Sequence, residues 1–199
     1  LCDPVRKNLQ WTRYCLRTSG ALVTETSRRL DRARRVLPGK YYYPYRAMAI
    51  RDNNPEFAGA ARFIESTIGR EAASEMVLLG LEDHQALAHL PAAAPIPSSY
   101  VRRFPHSNIV RIRRGRRDAT IIAGDPTIFC LHQGSVVLDS LRLASAFFGK
   151  GQFVGEAIRE QGERFVLEQQ LTGRYLQPLP AAEATQADDW YEMPHHLRT

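Results

Sequence analysis

Cysteine is scarce in this 199-residue sequence, and the three present (Cys2, Cys15 and Cys130) form no CxxC pair. We expect buried free thiols, with a Cys2–Cys15 disulfide as the alternative. No apolar run is long enough to cross a bilayer, so we predict no membrane span. The HExxH, zinc-spacing, phosphate-loop and GxSxG patterns are also missing, and we therefore predict no metal and no cofactor.

Negative charge is in short supply over most of the chain, which carries a net charge of +6, whereas residues 181–199 are acidic. A positive body attracts polyanions, whether they are nucleic acids, phospholipids or acidic sugars. The length is sufficient for one real core or two small ones. The sequence starts at Leu1 without a signal-like segment, and we interpret it as a processed product or a piece of a longer protein.

Helical spacing and cap residues dominate residues 1–90, which we predict to form antiparallel helical hairpins. The first helix starts at Asp3-Pro4, with aspartate as the N-cap. Two further helices are predicted over "TETSRRLDRARRVL" and "REAASEMVLLGLED". Between them, a helix starts at Asn54-Pro55-Glu56 and ends at Gly69. Its predicted apolar face consists of Phe57, Ala60, Ala61, Ile64 and Ile68.

The pattern changes after residue 90. The prolines of "LPAAAPIPSSY" predict an ordered linker over residues 91–104. Short alternating runs over residues 105–180, with turns such as "GRRD" and Gln161-Gly162 and no helices between them, predict an antiparallel β-sheet or sandwich portion. Residues 181–199 are predicted to be an acidic, irregular tail. The predicted fold class is therefore α+β.

The stretch "IVRIRRGRRDATIIAG" (Ile109–Gly124) places five arginines among β-branched residues. Its alternation puts Arg111 and Arg113 on the face of Ile109, and we predict that this strand face is solvated, with the guanidinium groups in water. A nucleic-acid surface would interleave aromatic residues with the arginines for base stacking, and only Phe104 is near. The sequence therefore disfavours nucleic acid as the partner.

Three stretches are similar to the heparinase II/III-like polysaccharide lyases: "VTETSRRLDRARR", "YYYPYRAMAIRDNNPEF", and "FPHSNIVRIRRGRRDATIIAG" running into "LRLASAFFGKGQF". The resemblance covers residues 10–178 and implies the last hairpins of a helical toroid followed by the first strands of a β-sandwich. It also implies a longer parent protein that is periplasmic or secreted. The family's "HGHAD"-like element is absent, and "LHQGSVVLDSL" occupies the comparable place with His132 alone.

The resemblance implies β-elimination from a uronate-containing polysaccharide, which needs a cation for the carboxylate, a base and an acid. It assigns catalysis to Tyr43 and Arg46, since nearby positive charge lowers the pKa of a tyrosine. The alternative is that the tyrosines of "YYYPYR" pack into the helical core, with their hydroxyl groups reaching solvent. The substrate-binding residues that it implies are Arg28, Arg29, Arg32, Tyr41 and His106.

Two functions follow. The first is a portion of a lyase-like protein acting on acidic polysaccharide, and with an incomplete catalytic set this portion is expected to be inactive by itself. The second is a non-catalytic basic α+β module that binds an anionic glycan or serves as an interaction domain.

Overall fold

A computed structural model describes residues 2–27, 32, 34–69, 80–81, 83–147, 150–178 and 190–198. Within these ranges, three α-helices with defined bounds precede an antiparallel sheet of five strands and three two-stranded hairpins. The predicted α+β class is therefore confirmed. No helix in the described ranges has the length and apolar character needed to cross a bilayer.

The helical part consists of α1 (Asp3–Tyr14), α2 (Gly39–Asp52) and α3 (Pro55–Ile68). The predicted start of α3 is confirmed, because Asn54 accepts hydrogen bonds from the backbone N–H groups of Glu56 and Phe57. At α1 the prediction is off by one residue, since Cys2 occupies the N-cap position and Asp3 lies in the first turn. Gly69 ends α3 as predicted.

The helical core lies between the three helices, and α2 packs closely against α3. Its fully buried side chains include Leu9, Tyr45, Phe57 and Ile64. Burying each of them contributes about 1.5–3 kcal/mol. Gly59 of α3 belongs to the same core and lets the backbone at Ala94 approach closely. The irregular segment after residue 88 is thereby held against the helices.

The helix predicted over "TETSRRLDRARRVL" is wrong where the chain is described, because residues 24–27, 32 and 34–37 contain turns and irregular backbone. The Thr24 hydroxyl donates to the carbonyl of Arg34, and the Glu25 carboxylate accepts from the N–H of Thr24. Such local side-chain bonds compete with helical ones. Residues 28–31 and 33, and most of the helix predicted over "REAASEMVLLGLED", lie outside the described residues.

The five-stranded sheet is an antiparallel meander in which each strand pairs with the next in sequence. Its first strand lies within the predicted linker 91–104, so that the irregular linker ends at residue 98. The "GRRD" turn is confirmed between the second and third strands. The strands are β1 (Ser99–Phe104), β2 (Ile109–Arg114), β3 (Arg117–Ile122), β4 (Phe129–Gln133) and β5 (Val136–Leu141).

Three antiparallel hairpins follow the sheet. The Gln161-Gly162 turn is confirmed within the second of them. The prediction of an irregular tail is wrong for residues 190–198, which pair with residues 170–178 along nine positions. The strands are β6 (Ala144–Phe147), β7 (Lys150–Gln152), β8 (Ile158–Gln161), β9 (Arg164–Leu167), β10 (Gln170–Pro178) and β11 (Trp190–Arg198).

Candidate functional site

The helical part and the sheet meet along one row of side chains that crosses the meander. In the strand register, Tyr100 lies opposite Arg113, Arg113 opposite Asp118, Asp118 opposite His132, and His132 opposite Val137. Residues directly opposite each other in a sheet share one face. This row contributes Arg113, Asp118 and His132, and the loop after α1 contributes Arg17 and Glu25.

Two arginines of this face are buried, which overturns the prediction of a solvated strand face. Arg111 is 0 % exposed and Arg113 is 2 % exposed. Both bind Asp118: Arg111 Nη2 lies 2.5 Å from Oδ1, and Arg113 Nη2 lies 2.9 Å from Oδ2. Arg111 Nε also donates to the carbonyl of Tyr14, and Arg113 Nη2 also donates to the carbonyl of Leu16. The alternation was interpreted correctly, but the face it creates packs against the C-terminal end of α1.

A helix C-terminus is a suitable environment for these cations, because its last carbonyls have no partners within the helix and carry partial negative charge. The other arginines of the stretch (Arg114, Arg116 and Arg117) are exposed. The stretch therefore divides into a buried pair that joins the two parts of the fold and an exposed group at the β2–β3 turn.

The loop after α1 adds a third guanidinium and a second carboxylate to this cluster. Arg17 Nη2 lies 2.5 Å from Glu25 Oε2, and Arg17 Nη1 lies 3.1 Å from Asp118 Oδ1. The hydroxyl of Thr120 donates to Glu25 Oε1 at 2.5 Å. Burial alone would raise the pKa of Glu25, but the charge of Arg17 and this hydroxyl outweigh it and hold the pKa below its usual value.

A cavity of about 330 Å³ opens beside the cluster, between the loop after α1 and the β4–β5 hairpin. Arg17 and Glu25 form its inner wall and are already paired with each other. Within the described part of the chain, neither Arg34 nor Arg35 forms an ion pair, and both side chains are at least partly exposed. The charged and titratable lining residues are Arg17, Glu25, Arg34, Arg35, His132 and Asp139.

His132 lines this cavity from β4 and is half-buried. Burial, followed by the positive charge of Arg17, holds the pKa of His132 below the ordinary histidine value of 6.5. The imidazole is therefore neutral at pH 7, with a ring nitrogen able to accept a proton. Proton abstraction beside a carboxylate needs a base and a cation, and this cavity holds a neutral imidazole together with two guanidinium groups that form no ion pair with the described residues.

The tyrosine and arginine predicted to be catalytic lie on α2 and contact the short 83–88 segment. The hydroxyl of Tyr43 donates to Asp83 Oδ2 at 2.9 Å. Arg46 Nη2 donates to the carbonyl of Ala88 at 2.8 Å, and its guanidinium lies 5.7 Å from the centre of the Tyr42 ring. These contacts hold the 83–88 segment against α2.

The predicted substrate-binding residues are distributed over several places. Arg32 forms a two-pronged ion pair with Asp125, at 2.6 and 3.0 Å, after the end of β3. Tyr41 packs against the helical core and lines a cavity beside Val36 and Ser107. His106 is exposed in the turn between β1 and β2. Arg28 and Arg29 lie outside the described residues.

Sequence reasoning did not select His132, Arg34 or Arg35 as site residues. Arg34 and Arg35 belong to the arginine-rich segment in which the resemblance was noted, and His132 belongs to the stretch "LHQGSVVLDSL", which that resemblance set beside a histidine-rich element. Their grouping depends on the loop after α1 folding onto the β4–β5 hairpin. Because a helix was predicted over the arginine-rich segment, the sequence analysis did not indicate that Arg34 and Arg35 share a cavity with His132.

The three cysteines form no disulfide with one another. All three are free, and Cys15 and Cys130 are buried, as expected from the sequence. Burial raises the pKa of both thiols to about 12. Within the described residues, no three histidine, cysteine or acidic side chains are grouped so that they could hold a metal ion.

Comparison with protein-family models, with curated proteins and with solved structures found no match to this chain.

Proposed function

We propose that this chain is a portion of a heparinase II/III-like protein that acts on uronate-containing polysaccharide by β-elimination, and that the cavity lined by His132, Arg34 and Arg35 is its reaction site. The observation that carries the proposal is a half-buried histidine with a lowered pKa in the same cavity as two arginines that form no ion pair with described residues. The resemblance of the surrounding segments supplies the substrate class.

Binding of the uronate is assigned to Arg34 and Arg35. A guanidinium group stays charged and matches a carboxylate with two parallel hydrogen bonds. Neutralising the carboxylate makes the adjacent C5–H bond more acidic, because the negative charge that develops on proton removal is spread onto the carboxyl group. Arg17 is less suited to this role, since Glu25 and Asp118 already occupy its guanidinium.

The proton transfer is assigned to His132. Its neutral imidazole accepts the C5 proton, the C4–C5 double bond forms, and the C4–O bond breaks with its electron pair on the departing oxygen. The imidazolium that results then holds a proton for that oxygen, so one residue serves as base and as acid. The products are a saturated sugar end and a 4,5-unsaturated uronate.

The test is the ultraviolet absorbance of unsaturated uronate, measured with the full-length protein and a panel of acidic polysaccharides. We expect His132→Gln to lower kcat by about 10²–10⁴-fold, the usual contribution of a general base. The double variant Arg34→Ala/Arg35→Ala is expected to raise KM more than it lowers kcat. Arg62→Ala is the matched control, because Arg62 is an exposed arginine on α3 that pairs with Glu65.

The outcomes separate the two functions and the two possible sites. Wild-type activity in His132→Gln, together with loss in Tyr43→Phe, would move the reaction site to the residues predicted from the resemblance. Absence of product from every polysaccharide, with salt-sensitive retention on an acidic glycan, would favour the non-catalytic binding module. Equal retention on DNA would indicate simple ion exchange.

A further inference from the structure

A second cavity of about 330 Å³ is lined by residues of α1, β1 and the start of α3. It shares no lining residue with the cavity at His132. Its wall combines aromatic and basic side chains, Trp11, Tyr14 and Phe104 with Lys7, Arg13 and Arg102, and is completed by Gln10 and by Glu56, which pairs with Arg13. None of these residues has a role in the proposed elimination.

The aromatic side chains meet edge to face. The ring centres of Trp11 and Phe104 are 6.3 Å apart with an interplanar angle of 72°, and those of Tyr14 and Phe104 are 6.0 Å apart at 63°. Phe104 is parallel to neither Trp11 nor Tyr14, so it forms no slot with either ring in which a nucleobase would stack between two faces. A single half-exposed face does fit a pyranose ring, whose axial C–H groups meet the negative face of an indole.

Positive charge borders the aromatic surface. Lys7 and Arg102 are exposed, and neither forms an ion pair with a carboxylate in the ranges that the structure describes. The guanidinium of Arg102 lies 5.4 Å from the centre of the Tyr14 ring, which orients the side chain over the cavity wall. A ligand with a carboxylate beside a pyranose ring would therefore meet both a stacking face and two cations.

One lining residue of this cavity carries a buried donor without a partner. Arg13 is only 4 % exposed and lines the cavity. Its Nη1 pairs with Glu56 at 2.9 Å, but its Nε has no hydrogen-bond partner. A buried N–H without an acceptor costs about 1–3 kcal/mol.

We infer that this cavity is a second glycan subsite, which binds one uronate unit of an anionic polysaccharide by stacking it on Trp11 and pairing its carboxylate with Lys7 and Arg102. The inference rests on the proposed function for the class of its ligand, but it does not depend on the elimination chemistry. The subsite increases affinity for longer chains and contributes no group to the reaction.

The experiment is isothermal titration of the full-length protein with oligogalacturonates, oligoalginates and heparin oligosaccharides, and with a neutral cello-oligosaccharide and single-stranded DNA for comparison. We expect Lys7→Glu/Arg102→Glu to weaken binding of the preferred uronate oligomer by at least about tenfold, since two charge-assisted contacts are lost. Trp11→Ala is expected to weaken it similarly. Arg62→Glu, the matched surface control, is expected to change the affinity by less than about twofold.

A second readout covers the case in which Trp11→Ala does not fold. In a Trp190→Phe background Trp11 is the single tryptophan of this chain. Uronate oligomers are expected to change its fluorescence, whereas the cello-oligosaccharide is not. Unchanged affinity in the charge-reversed variant and no change in Trp11 fluorescence would overturn the inference. Equal weakening for DNA and for glycans would also overturn it, in favour of a non-specific polyanion surface.

The two proposals fail in different ways. Binding that depends on Trp11 without any unsaturated product would remove the lyase proposal and leave this subsite. Elimination that depends on His132 in a protein whose Trp11 and Lys7/Arg102 variants bind like the wild type would remove the subsite alone. For an active protein, the charge-reversed variant is expected to raise KM for long chains and to leave kcat unchanged.

Discussion

Replacing Asp118 with asparagine tests the interface between the helices and the sheet most directly. Asp118 is 1 % exposed and contacts three guanidinium groups, those of Arg17, Arg111 and Arg113. Asparagine has nearly the same volume, so Asp118→Asn removes a charge and opens no cavity. The other carboxylate of the cluster, Glu25, lies 2.5 Å from Arg17 and 4.0 Å from Arg111 and would be left to balance the cluster's positive charge.

The expected loss of stability is large for a substitution of similar size. Removing one partner of a buried ion pair costs about 3–5 kcal/mol, because the charge that remains is left uncompensated in a poorly solvated site. The expected fall in the free energy of unfolding lies in that range. For a chain of this length the melting temperature would fall by roughly 6–20 °C, at about 2–4 °C per kcal/mol.

The measurement is urea unfolding at pH 7, followed by circular dichroism. Glu65→Gln provides the control, because it breaks the exposed pair of Arg62 with Glu65 and is expected to cost less than about 1 kcal/mol. If Asp118→Asn cost no more than this control, the buried arginines would be stabilised by something other than Asp118. The explanation that Asp118 compensates the buried arginines between the helices and the sheet would then be wrong.

Two further predictions concern stability. The pKa values of Glu25 and Asp118 are both held below normal, so their stabilisation is complete above about pH 4–5 and is lost as pH falls through the folded-state values. Urea unfolding should therefore show a steeper loss of stability below pH 5 in wild type than in Asp118→Asn. Gly59→Ala should destabilise by about 1–3 kcal/mol in the same assay, since its Cβ would lie 1.6 Å from the carbonyl oxygen of Ala94. Equal stability of this variant would contradict the close approach of the backbone there.

Local signals in the sequence predicted the fold class. The Asn54-Pro55-Glu56 start and the apolar face from Phe57 to Ile64 identified α3, because capping and helical spacing depend only on residues within one element. The alternation after residue 105 and the turns at "GRRD" and Gln161-Gly162 identified the antiparallel strands for the same reason. Element boundaries were less accurate, as the first strand shows by starting inside the predicted linker.

The errors occur where distant contacts decide the outcome. The arginine-rich segment after Val23 has a helix-like pattern, but Thr24 and Glu25 use their side chains to bond the backbone and Arg17. The alternating pattern predicted that Arg111 and Arg113 lie on a solvated strand face, but their guanidinium groups bind the carbonyls of Tyr14 and Leu16. No local pattern encodes a partner that lies 97 residues away.

The sequence by itself determined that this protein is α+β and that Arg111 and Arg113 share one face of a strand. Only the tertiary structure decided that this face is buried, and that His132 shares a cavity with Arg34 and Arg35. The physical reason is that periodicity assigns a side chain to a face, whereas solvation and pKa depend on which other element covers that face. In this protein, the end of α1 and the loop that follows it cover the sheet face that carries Arg111 and Arg113.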